Sequence, residues 1–519
     1  MMKKIMIVCI TILMTNALMA FDFHLSKTTA DTAKMYEGLS SNGVTSIALQ
    51  GESVVWLGTG AGLSRTDDFG ETFISYYPGD KKLPYGSITA ISTMDSLIWV
   101  AGVYDSTISG NSETIGGGLA YSMDYGLSWE YVPQPVNDTT DTWDIWGGDT
   151  IRYEPVTTIV SNTTWDIATT EDYTYIVSWA GGLRRTADLG KTWQRVPLPA
   201  DYKSSLGDEK IDYKIDPRDP AAGGNHNHKA FSVIAYSDTV WVGTANGINR
   251  GIVKDDYIQW EKFNAQNSSV SGNFVVSLHR QVYKGRETVW AVTLPADNPG
   301  EYQAVSKTTD GGLNWTTVLE NERAYSISSY DSLVFVATQK GVFKSIDGKN
   351  WSLYRAAQAI NGDRILDDTA YETKVDDRTG EKQLWIGTSD GIAKRNLATL
   401  NWEIYRATLS TQAKGQPMFY AYPNPFSPTH QNQLNGEGHV RFQYDLENPG
   451  DVVLEIFTFA MERIYKASVY ETSTGDNVLI WNGRTDNGFY AANGTYFCKL
   501  TKKVNGKTSS GWTKLMIIK

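Results

Sequence analysis

The chain has 519 residues, with 47 Gly, 17 Trp, 29 Tyr, two Cys and a formal net charge of -11. That length exceeds a typical single domain, and Gly with abundant aromatics suits tight turns and pleated surfaces rather than long helices. The acidic balance, without any Lys/Arg cluster, argues against nucleic acid or an anionic membrane as partner.

The first twenty residues carry the three parts of a secretory signal: basic Met1–Lys4, apolar Ile5–Met14, and a small-residue site ending at Ala20. The apolar run is shorter than the roughly 20 residues that span a bilayer, so cleavage after Ala20 is expected. Cys9 lies inside that run and so cannot become an acylated first residue. Cys498 is then the one remaining cysteine, and the fold must stand without an intramolecular disulfide.

From Val44 onward a unit recurs: an apolar strand, a second strand centred on an aromatic or its equivalent, a Gly-bearing turn, and a further strand and Trp. The central positions are Trp56, Trp99, Ile176, Trp241, Trp290, Phe335 and Trp385. A period of about 45 residues with four short strands marks a propeller blade. Runs such as Val54-Val55-Trp56-Leu57 replace strict alternation because each blade buries both faces. An open stack would expose two edges, so the reading is all-β: a closed seven-bladed β-propeller over 21–407. Whether an N-terminal strand completes the ring is left open.

Four turns share Ser/Thr-x-Asp-x-Gly-x-x-Trp/Phe: Thr66/Asp68/Gly70/Phe73, Ser122/Asp124/Gly126/Trp129, Thr186/Asp188/Gly190/Trp193 and Thr308/Asp310/Gly312/Trp315. Ser345-Ile346-Asp347-Gly348-Lys349-Asn350-Trp351 is a copy one residue shorter. The carboxylate can accept the turn's own amides, Gly supplies positive φ, and the aromatic is expected to plug its blade. The motif resembles the Asp-box of sialidases and related propellers, which implies a structural role on the outer rim. The Trp-x-Gly-Thr strands also resemble the sensor propellers of two-component regulators; no signalling role is carried over.

Three segments break the repeat, at about 103–117, 133–158 and 198–229, and such insertions are expected on one functional face. Trp143, Trp146 and Tyr153 in the second are the candidate ligand loop, suited either to stacking on a sugar or peptide or to packing on one another. On that reading Trp193→Ala should damage folding more than Trp146→Ala. The third holds Asp212, Asp216, Asp219, His226 and His228, but two His without a third ligand do not define a metal site. No residue set identifies catalysis, a cofactor or a metal. The leading expectation is a non-enzymatic propeller binding carbohydrate or protein through its inserted-loop face. The alternative is a secreted glycoside hydrolase of sialidase-like or xyloglucanase-like type.

Thr408–Gly415 reads as a polar stretch within a linker over 408–417. Residues 418–519 then show short alternating strands, with Val453, Glu455 and Phe457 opposed to Leu454 and Ile456, as in a β-sandwich. Tyr422-Pro-Asn-Pro-Phe-Ser-Pro428, Trp481-Asn-Gly-Arg-Thr-Asp-Asn-Gly488, Gly494-Thr-Tyr-Phe497 and Lys514–Lys519 together resemble the type A sorting domain of type IX secretion. That module is similar to the Ig-like part of the flagellar hook-capping protein. The resemblance implies secretion machinery as a partner, passage through the periplasm, and a place on the outer surface of a Gram-negative bacterium or in the medium. Ala460-Met461-Glu462 departs from the Gly turn usual there.

Overall fold

The computed structural model describes residues 36–519 apart from 79–81, 297, 356, 361, 409–410 and 412–415; the signal segment and Ala20 lie outside these residues. The chain forms two compact units, one ending at Arg406 and the other comprising Ala407–Lys519 with the segment Arg364–Thr369.

The first unit is a seven-bladed propeller. Inner strands Val44–Gln50, Ser87–Met94, Thr164–Thr169, Ala230–Tyr236, Phe274–Tyr283, Ala324–Tyr330 and Ala370–Asp376 surround a central channel. Each blade continues outward in chain order by antiparallel pairing. Outside blades 2 and 5, whose second strands run on past the core, the second strands are buried along nearly their whole length, and Trp56, Trp99, Trp241, Phe335 and Trp385 are fully inaccessible. That is why these strands read as continuous apolar runs. Blade 7 takes all four strands from its own segment, Ala370–Tyr405, while Tyr36–Glu37 pairs with Ile74–Tyr76 and widens blade 1. Among the described residues the ring closes by packing and side-chain bonds, with no strand exchanged between blades 1 and 7. Arg378 of blade 7 donates to the carbonyls of Gln50 (2.9 Å), Gly51 (3.1 Å) and Val54 (3.0 Å), and Lys394 donates to Phe69 O (2.8 Å).

The Asp-boxes join third strands to fourth strands at the end of the ring opposite the start of the inner strands. In the third box, Asp188 accepts from the Thr186 hydroxyl (2.8 Å), the Thr192 amide (2.9 Å) and the Thr192 hydroxyl (2.7 Å). Those donors hold its carboxyl at about 2, below the usual range. Asp68, Asp124 and Asp310 repeat the pattern, and Asp347 does so through Asn350. The expectation that the aromatic plugs its own blade needs correction: it seals the gap to the preceding one. Trp129 stands edge-on to Trp56 (5.8 Å, 85°), Trp193 to Trp99 (6.3 Å, 67°), Trp315 to Trp241 (6.3 Å, 82°) and Trp351 to Trp290 (6.2 Å, 87°).

The box glycines do supply positive φ, at Gly70, Gly126, Gly190, Gly312 and Gly348, and they also pack against the preceding blade. Gly70 and Gly312 do have positive φ, 100° and 102°, but both are buried. A Cβ on Gly70 would lie 3.0 Å from the Trp385 and Tyr405 rings of blade 7, and one on Gly312 would lie 2.4 Å from the Phe263 ring of blade 4. Gly190 and Gly126 meet Trp99 and Trp56 in the same way. The missing side chain is therefore needed for the close approach of two blades as well as for the turn.

The second unit is an Ig-like sandwich. Phe419–Tyr422, Val440–Leu446 and Gly475–Trp481 form one sheet; Arg463–Glu471, Gly450–Phe457, Gly494–Val504 and Lys507–Ile517 form the other. Val452, Leu454 and Ile456 are buried and the alternate positions are not, as the alternation predicts. At the point where the sequence departs from a Gly turn, Met461 itself takes a left-handed φ of 62°. Cys498 is buried and unpaired, and burial pushes its thiol up to about 12.

Candidate functional site

Every inner strand carries a β-bulge near its start, and the extra residues are Thr45, Thr89, Trp165, Phe231, Val276, Tyr325 and Tyr371. A bulge re-aims a side chain out of the ladder, and all seven residues line the channel, whose volume is about 520 Å³. They form a collar at one mouth that is aromatic in blades 3, 4, 6 and 7. Trp179 and Phe274 extend it, packing on Phe231 at 5.3 and 4.3 Å, and Tyr325 stands edge-on to Tyr371 at 5.3 Å.

Below the collar, the next residue of each inner strand is Ser46, Ala90, Asp166, Ser232, Ser277, Ser326 and Glu372. Five blades use a small side chain there, so the scaffold itself does not require the two carboxyls. Asp166 accepts from the Ile167 and Val233 amides, both at 2.9 Å. Burial nevertheless pushes its carboxyl up to about 7. Burial pushes Glu372 up to about 7 as well, against the opposing pull of Lys374, the Ser326 hydroxyl and the Thr373 amide. His279, 2.8 Å from Ser329 Oγ through Nε2, is held neutral by burial, down to about 3. Lys374 acts electrostatically on all three groups. The mouth is apolar and aromatic, and the channel wall beneath it can exchange protons near neutral pH.

A carboxyl whose pKa is raised on folding stabilises the fold below its unfolded value, and that contribution is lost as pH rises through the folded value. Glu372→Gln is therefore expected to raise the melting temperature at pH 8 relative to the parent. At pH 4 the two should melt together, and paired thermal melts check this.

The sequence-selected loop residues lie elsewhere. Trp143–Trp146 and Asp149–Tyr153 form a hairpin that Lys214–Ile215 joins in parallel, merging the second and third insertions into one small sheet. This sheet packs between blades 3 and 4, with Trp146, Ile151, Tyr153, Tyr213 and Ile215 in one core with Val177, Val240 and Trp260. Blade 4 has no Asp-box, and the Gly147 amide donates to Asp256 O (3.2 Å) in the turn that occupies that place. Trp143 is exposed, but Trp146 and Tyr153 are buried with Arg185 and Arg195 stacked on them at 4.7 and 4.4 Å. The expected ranking of Trp146→Ala as the milder substitution is thereby revised. Truncating a core Trp costs about 3–5 kcal/mol, so Trp146→Ala should destabilise at least as much as Trp193→Ala in thermal melts, because Trp193 is only half-buried.

The polar residues of the third insertion serve the loop. Asp216 pairs with Arg218 (2.6 Å), Asp219 caps a short 3-10 turn through the Ala221 amide (2.9 Å), and Asp212 lies 3.6 Å from Lys203. Buried His228 accepts from the Asp216 amide (2.9 Å) and faces Leu198 O (3.1 Å), with its imidazole held down to about 4 by burial. The collar escaped sequence reasoning because its residues fall one step off strand register. The signal was present in aligned inner strands, where a small residue recurs and two carboxyls interrupt it.

Residues 429–506 match the family model of the FlgD Ig-like domain. No curated protein matches the chain. Among solved structures, the chain is similar to a GH74 enzyme of Niastella koreensis (13% identity, 93% of this chain and 74% of that one, TM-score 0.46). It is also similar to YCF48 bound to D1 peptide (15%, 73% and 99%, 0.41). A third is PorZ of Porphyromonas gingivalis, described as an essential bacterial surface component of the type-IX secretion system (13%, 90% and 64%, 0.33). None of these carries an activity or a partner over to this chain.

Proposed function

We propose that this is a secreted surface propeller that binds a carbohydrate or peptide at the collared mouth of its channel. The observation that carries the reading is the seven-fold bulge, which turns Trp165, Phe231, Tyr325 and Tyr371 into the channel. An aromatic-lined cavity with few, placed polar groups is the usual form of a ligand site. Screening the full chain on glycan and peptide arrays should yield ligands whose binding falls at least tenfold in Trp165→Ala and Tyr371→Ala. Ligands held equally well by both variants would move the site elsewhere. A second reading is favoured by Asp166 and Glu372, two proton-exchanging carboxyls in one cavity: glycoside hydrolysis. Release of sugar that stops in both Asp166→Asn and Glu372→Gln would establish it over binding alone. The C-terminal sandwich is the export module in either case, supported by the four ordered motifs between Tyr422 and Lys519.

A further inference from the structure

Blade 3 contains a charge arrangement that no other blade shares. Arg184 on its third strand and Arg195 on its fourth stand directly opposite each other in the antiparallel register. Both are 3% exposed. The equivalent residues of Arg184, third after the turn in the other blades, are Ser64, Ala120, Asn249, Ser306, Phe343 and Ala393. Those of Arg195, read from the same ladders, are Ser75, Tyr131, Lys262, Thr317, Leu353 and Ile404. A blade therefore folds without this pair, and like charges facing across a ladder oppose it.

The two guanidiniums share one neutral acceptor, Asn137 Oδ1, which takes a hydrogen bond of 2.8 Å from each Nη2. The Nε of each is buried and finds no acceptor among the described residues. Tyr153 lies under Arg195 at 4.4 Å and supplies a ring face, not a negative charge. Asp144, Asp216 and Asp141 act on Arg195 electrostatically without a direct bond. Burial, reinforced by the neighbouring arginine, lowers Arg184 to about 9, and burial lowers Arg195 to about 10. Two buried cations with open donors and no paired carboxylate are costly unless an anion joins them.

We propose that blade 3 binds a monatomic halide, chloride in ordinary solution, in the void against the Arg195 guanidinium, with Arg184 across the ladder as the second positive charge. The void beside Arg195, bounded by Gly181, Gly182 and His228, measures about 10 Å³. That is space for one water-sized body, which excludes phosphate, sulfate or a ligand carboxylate. The site is separate from the channel mouth, and its occupancy is independent of what the propeller binds there.

A ligand held only by the folded state raises the melting temperature with concentration. The full chain should melt a few degrees higher as sodium chloride replaces sodium gluconate at constant ionic strength, and bromide should reproduce the rise. The Arg184→Gln/Arg195→Gln variant should show no chloride-specific rise, which separates the site from general salt effects. In gluconate, Arg184→Met should melt no lower than the parent, because it removes one of two repelling charges; an arginine kept solely for its bond to Asn137 predicts a fall. Crystals soaked in bromide should give an anomalous peak in the void beside the Arg195 guanidinium. Equal parent melting curves in chloride and gluconate, or bromide-soaked crystals showing water only at this position, would overturn the proposal.

Discussion

Gly126→Ala should be among the most damaging single-methyl changes in the propeller. A Cβ there would lie 2.2 Å from Cη2 and 2.8 Å from Cζ2 of Trp56, on a backbone with φ of +83°. Left-handed backbone costs a non-glycine residue roughly 1–2 kcal/mol, and overpacking a filled core adds about 1–3 kcal/mol. Trp56 has little room to retreat. It is fully buried, its Nε1 donates to Gln50 Oε1 (2.8 Å), and Trp129 stands edge-on to it. Gln50 in turn donates to the carbonyls of Asp95 (2.9 Å) and Leu97 (3.1 Å) in blade 2. Thermal unfolding of purified Gly126→Ala should therefore show a loss of about 2–5 kcal/mol. Trp56→Ala alone should cost about 3–5 kcal/mol. The double variant should lose less than the two singles together, because the clash disappears with the ring. Strict additivity would mean that Gly126 is not set by the neighbouring blade.

Removing 418–519 should redirect the protein and leave the seven blades folded, with only Arg364–Thr369, which belongs to the second unit, losing its partners. The sandwich has its own core, centred on Phe419, Phe426, Phe442, Tyr444, Trp481 and Leu515. The propeller closes its ring through blades 1 and 7, by Arg378 and Lys394, and among the described residues its blades draw no strand from the tail. The truncated chain should keep the parent's melting transition for the propeller. In its native host it should accumulate in the periplasm, where fractionation with an antibody against the propeller would find it. Truncated protein on the surface or in the medium at the parent's level would make the sandwich a spacer and remove the export reading.

The two halves differ in how fully they could be read. Blade number followed from the recurring central aromatic, because a strand that buries both faces must be apolar throughout. The boxes followed too, since Asp and Gly at fixed spacing meet needs internal to one turn. The sandwich was legible for a related reason: alternation at Leu454 and Ile456 records a sheet with one buried face.

What the tertiary structure alone decided concerns relations between segments distant in the chain. Spacing cannot say that Trp129 seals against Trp56 of the preceding blade, or that Gly70 and Gly312 are hemmed in by Trp385 and Phe263, because those contacts depend on how consecutive sheets stack. Nor could it show that 133–158 and 198–229 meet in one small sheet, burying Trp146 and Tyr153, since the parallel pairing of Arg152 with Lys214 crosses an entire blade. The channel collar depends on a one-residue bulge in each inner strand, a shift that hydrophobic periodicity averages away. Asp166 and Glu372 share one cavity because closing the ring brings blades 3 and 7 around a common axis.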